Sequence, residues 1–150
     1  LEDNFGLSVK EYRRMLYLSL IKEKVSQQID KEAIRISETV QAGVKAGKNL
    51  KAITDELGEK VLYEETGGLV DKMNVDGGRA GVAMSLEAGQ TSDRVMSSSG
   101  DGYYFVTLIN KTESQVNYTS IKIPFLEFNK QMKQIREEGR VREMINLKDE

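Results

Sequence analysis

The sequence predicts an α+β domain: a small, antiparallel-rich sheet with surrounding helices, and long helices at both ends. Three observations carry that prediction. Apolar residues recur at helical spacing from Tyr12 to Leu57. Two runs rich in aromatic and β-branched residues, Tyr103–Ile109 and Val116–Ile123, lie a short turn apart. Glycine pairs at Gly67-Gly68 and Gly77-Gly78 punctuate the stretch between the helices and those strands.

The elements follow in order. Ser8 and Glu11 form a capping box, in which each side chain serves the other's backbone amide. The helix it opens runs over residues 8–29, and Tyr12, Leu16, Leu18, Leu20, Ile21, Val25 and Ile29 give it a broad apolar face that belongs in a core before it belongs against a partner helix. A second helix begins near Lys31, carries Ile36, Val40 and Val44, and stops at Gly47. Asn49 caps a shorter third helix, Leu50 to Leu57, closed by Gly58. Residues 60–64 read as a strand, 66–78 as a loop, 79–85 as one or two helical turns and 92–97 as a strand. The single proline, Pro124, ends the strand at Val116–Ile123 and suits the first turn of a final helix to about residue 147, with Met144 and Ile145 on its apolar side.

Composition narrows the chemistry. The 150 residues are 39% hydrophobic and 31% charged with a net charge of −2, which fits a globular domain and gives no basic footprint for nucleic acid. The chain has no cysteine and no histidine, which removes disulfides, thiolate catalysis and the usual zinc or copper ligands. No cofactor and no metal are expected. Neither glycine pair sits in a phosphate-binding pattern. Glu64-Glu65 with Asp71 or Asp76 reads as a solvated loop before it reads as an acid/base pair or cation site, and Ser97-Ser98-Ser99 reads as a turn.

Residues 100–111 read Gly-Asp-Gly-Tyr-Tyr-Phe-Val-Thr-Leu-Ile-Asn-Lys, which resembles the last strand of a parvulin-type prolyl isomerase domain. In that family the middle of the strand usually carries a histidine, and the matching residue here is Tyr104. The segment Lys31–Lys111 resembles the family in its order of parts. It includes Met84-Ser85-Leu86-Glu87-Ala88-Gly89-Gln90-Thr91-Ser92-Asp93, similar to the family's Phe-x-Leu-x-x-Gly-x-Ser segment, with Val95 at its valine. The helix at 8–29 resembles the one preceding the isomerase domain in bacterial cell-envelope foldases. Val116–Ile123 resembles the parvulin first strand, with Ser120 at its histidine. Here that strand comes last, either as a permuted order or as the start of a second, truncated repeat. The resemblance thus implies a helical extension over 1–30, a parvulin-like domain over 31–124 whose first strand is supplied by 116–123, and a C-terminal helix over 125–150.

What the resemblance implies about function follows from the two replaced histidines. Isomerisation breaks no bond; the enzyme lowers a torsional barrier of ~20 kcal/mol by binding the twisted amide best. With Tyr104 and Ser120 at the histidine positions, Arg79 near the pocket phenylalanine and Val75 near the pocket methionine, no residue is assigned a catalytic role. Peptide contact is expected from Tyr104, Ser120, Val75, Arg79 and Met84. The implied protein is an extracytoplasmic foldase or chaperone from a longer anchored or exported precursor. It binds unfolded or extended polypeptide with little or no isomerase activity. It takes no nucleic acid, meets a membrane only through segments outside this chain, and leaves self-association open. The alternatives are an active isomerase with a histidine-free site and a structural assembly module of an envelope complex.

Overall fold

The computed structural model describes residues 8–139. Ser8 opens α1 (Val9–Ile29) as its sequence predicts: the Ser8 amide donates to the Glu11 carboxylate at 2.8 Å and the Glu11 amide donates back to Ser8 Oγ at 3.3 Å. Asp30 separates α1 from α2 (Lys31–Lys45). The Asn49 side chain accepts from the Ala52 amide at 2.8 Å to start α3 (Leu50–Leu57), and a 3-10 turn (Gly58–Lys60) leads into the sheet. The strands are β1 (Leu62–Glu65), β2 (Val70–Asp71), β3 (Val95–Met96), β4 (Gly102–Lys111) and β5 (Gln115–Pro124). Helix α4 (Arg79–Met84) lies between β2 and β3, and α5 (Leu126–Glu137) follows β5.

Among the described residues the sheet has five strands, all paired antiparallel, in the order β1-β5-β4-β3, with β2 also on β5. The last strand in sequence is therefore the centre of the sheet. Alternation along β4 and β5 divides the core into two layers. Tyr103, Phe105, Ile121 and Ile123 face α2 and α3, where they bury Ile36, Val40, Leu50 and Ile53 together with Phe125. Val106, Leu108, Val116 and Tyr118 face the other way and bury Ala80 and Ala83 of α4 and Leu86. Gly102 is required where β4 begins, because a Cβ there would lie 2.4 Å from the Ile123 carbonyl oxygen.

One tie spans the chain. Phe125 is the N-cap of α5 and has no side chain to offer its first amides. Asp30, 97 residues before Glu127, is buried and does so instead: its carboxylate accepts from the Glu127 amide at 2.8 Å and the Phe128 amide at 3.0 Å. The α1–α2 corner is thereby fastened to the start of α5.

Several expectations need correction. The broad apolar face of α1 is not core: Met15, Leu16, Tyr17, Leu18, Leu20, Ile21 and Val25 are exposed, whereas Ser26 and Asp30 at its C-terminal end are buried. The loop at 66–78 contains β2, and the strand expected over 92–97 narrows to Val95–Met96. Pro124 closes β5 as expected but stands outside the first turn of the helix that follows. At the last position of a strand its missing N–H costs the ladder little, so α5 begins at Leu126. The continuation of the final helix to residue 147, with Met144 and Ile145, lies outside the described residues. Among the described residues no helix is long and apolar enough to cross a membrane.

Candidate functional site

The α4-facing side of the sheet brings together the two positions singled out by the sequence. Tyr104 of β4 pairs with Lys122 of β5, and Val106 pairs with Ser120. Tyr104 and Ser120 are thus diagonal neighbours on one face of adjacent strands. On the far side of β5, Glu64 of β1 pairs with Ser120. Tyr104 is 4% exposed and Ser120 is fully buried.

Arg79, the first residue of α4, covers both. Its Nη1 donates to Ser120 Oγ at 3.1 Å and also to the Glu64 carboxylate. Its Nε donates to the Asp76 carbonyl at 2.8 Å. Its guanidinium lies 4.8 Å from the centroid of the Tyr104 ring. Lys122 flanks the same ring, with Nζ 5.6 Å from the centroid, and donates to Asp101. Two cations thus lie against the tyrosine ring, each paired with its own carboxylate.

The loop before α4 is built to hold Arg79 there. The Asp76 carboxylate accepts from the Gly78 and Ala80 amides, each at 3.1 Å, and so caps α4, which has no side-chain cap of its own. The same carboxylate accepts from the Tyr118 hydroxyl at 2.5 Å, fixing the loop to β5. Gly77 adopts φ +77°, and a Cβ there would meet Ser97 Oγ at 2.8 Å and Tyr104 Cε2 at 3.4 Å, so only glycine lets the loop lie this close to the ring. The Ser98 amide donates to the Gly77 carbonyl at 2.9 Å, and Ser99 Oγ donates to Asp101 at 2.7 Å.

The electrostatics follow from these contacts. Burial works against the charge on Arg79, but the hydrogen bond and the charge of Glu64 outweigh it and raise its pKa. Lys122 behaves alike: burial opposes its charge, while bonds to Asp101 and Tyr104 raise its pKa. Burial also opposes the Asp101 carboxylate, yet the bonds from Lys122, Ser99 and Ser97 hold it well below the usual range. Tyr118 is pushed up, first by burial and then by Asp76. An always-charged guanidinium and a tyrosine raised above its ordinary value are poor proton shuttles, and both are paired with carboxylates of the cluster. Among the described residues no three acidic side chains gather to hold a metal.

The structure therefore brings together Tyr104, Ser120 and Arg79 and leaves two expected contacts elsewhere. Val75 is 101% exposed, and Met84 lies at the opposite end of α4, partly buried against the second core. Lys122 and Asp101 were missed. The first had a signal, since it stands two residues beyond Ser120 and so shares its face. Glu64 and Asp76 are not the solvated loop the sequence suggested, because one pairs with Arg79 and the other caps α4. A cleft of about 240 Å³ opens beside the cluster, lined by Glu64, Glu65, Val70, Asp76, Arg79 and Tyr118. A larger one of about 700 Å³ lies on the opposite face of the sheet, beside α3, at Tyr63, Thr91, Thr107 and Thr119, and touches none of the residues around Tyr104.

No protein-family model, curated protein or solved structure matches the chain.

Proposed function

We propose that this chain is a foldase-like polypeptide-binding protein with a parvulin-like, permuted domain and little or no isomerase activity. The observation that carries the binding half is α1. Of the fourteen exposed large apolar side chains among the described residues, eight lie on this one helix, from Val9 to Val25. An apolar surface of that kind suits transient cover by the apolar segments of an unfolded chain.

The catalytic half rests on access. A twisted prolyl amide must touch the groups that stabilise it. Ser120 is wholly buried and Tyr104 nearly so, both beneath Arg79. The parvulin reading is supported by the neighbouring of β4 and β5, since a displaced first strand has to lie beside the last one. The same resemblance carries the proposal of an extracytoplasmic setting.

Two measurements test the reading together. Light scattering of an aggregating unfolded protein is expected to fall in the presence of this chain, and Leu16→Ser/Leu20→Ser is expected to weaken the effect. Exchange spectroscopy on a proline-containing peptide is expected to show no acceleration at high protein concentration. Acceleration that is lost in Tyr104→Phe or Ser120→Ala would move the conclusion to an active, histidine-free isomerase.

A further inference from the structure

We propose that the groove between α1 and α5 takes acidic, amphipathic polypeptide segments, so that the protein selects its clients by charge; this rests on the polypeptide-binding reading above. The groove has a volume of about 430 Å³ and is lined by Lys22, Phe128, Asn129, Met132, Lys133 and Arg136. Its apolar floor is Phe128 and Met132, and its rim carries three cations. Lys22 is held in place by donation to the Ser99 carbonyl at 3.1 Å, with Nζ 5.8 Å from the centroid of the Phe128 ring.

Charge decides the occupant. Helix α1 carries five cations and two carboxylates and α5 carries three and two, so the pair is positive by four in a chain that is negative by two. A second copy docked through the same face would bring the same positive surface and be repelled. A flat anionic bilayer covers one side of a helix. On α1, however, the consecutive residues Met15, Leu16, Tyr17 and Leu18 are all exposed, between 45 and 64%, and four successive residues point all the way round the axis. A polypeptide can wrap such a belt and set its carboxylates against Arg13, Arg14, Lys22 and Lys24 at the two ends. The internal competitor is weak: Lys133 meets Glu137 at 3.8 Å, with both side chains largely exposed.

The test uses the whole chain and two labelled amphipathic peptides with identical leucine positions, one with glutamate and one with lysine at the polar positions, read by fluorescence anisotropy. The acidic peptide is expected to bind about tenfold more tightly at low salt, the worth of a few exposed ion pairs acting together. High salt and Lys133→Glu/Arg136→Glu are both expected to remove that preference, with the circular dichroism spectrum unchanged. Equal binding of the two peptides, or an unchanged preference in the double variant, overturns charge selection while leaving polypeptide binding intact. Binding to anionic vesicles but to neither peptide overturns it in favour of a lipid surface. Dimerisation lost in the double variant overturns it in favour of a second copy. Failure of both peptides together with failure to suppress aggregation removes the polypeptide-binding reading itself.

Discussion

Arg79→Ala removes the residue that closes the Tyr104–Ser120 face, and its cost can be worked from its contacts. Ser120 is fully buried, and without Arg79 its hydroxyl loses the donor 3.1 Å away, which costs about 1–3 kcal/mol for an unsatisfied buried group. The stacking on Tyr104, with the arginine side chain 15% exposed, contributes about 1–2 kcal/mol. The Glu64 pair adds little, about 0–1 kcal/mol, because the glutamate side chain is 47% exposed. Water entering the vacated space offsets part of the sum, so the expected loss is about 2–4 kcal/mol. Urea denaturation reads it as a lower midpoint at an unchanged slope. Glu64→Ala is the control and is expected to cost less than about 1 kcal/mol. An Arg79→Ala protein within about 0.5 kcal/mol of the parent, or a Glu64→Ala protein equally destabilised, would show that Arg79 does not act through the buried face.

Three further perturbations probe the scaffold. Asp30→Ala is expected to cost about 2 kcal/mol, the upper range for a helix cap, and to lower amide protection at the start of α5 in hydrogen exchange, with Asp30→Asn intermediate. Gly102→Ala forces a Cβ against the Ile123 backbone and is expected to cost at least about 2 kcal/mol, whereas Gly81→Ala, with open space on the surface of α4, is expected to stabilise by roughly 0.5–1 kcal/mol; thermal melts separate the two signs. The folded pKa of Asp101 lies below its ordinary 3.8, so its stabilisation is present above that value and is lost as pH falls through the folded one. The stability gap between the parent and Asp101→Asn is therefore expected to narrow below about pH 4 in urea titrations, and a gap independent of pH contradicts the assignment.

What the sequence revealed was what is local. The Ser8–Glu11 box, the Asn49 cap and the aromatic and β-branched runs of β4 and β5 are decided by residues a few positions apart, and each is found where its pattern predicts. What it hid was decided at a distance. Asp30 caps a helix almost a hundred residues away, and no spacing rule reaches that far. Two-residue strands such as β2 leave no period to read. The apolar face of α1 looked like core because periodicity reports which side chains share a face and not whether anything covers it. At the candidate site, Tyr104, Ser120 and Arg79 were singled out by an expected resemblance and lie together in the fold, while the ion pairs around them depend on how β1, β5 and α4 meet.

The proposed function puts bound polypeptide on the helices and not at the Tyr104–Ser120 face. Hydrogen–deuterium exchange with and without a saturating unfolded client distinguishes the two locations. Protection is predicted across Val9–Ile29 and Leu126–Glu137, with no change in Leu62–Glu65 or Arg79–Met84. Protection confined to β1 and α4, beside the Arg79 cleft, with α1 and α5 unchanged, would contradict it.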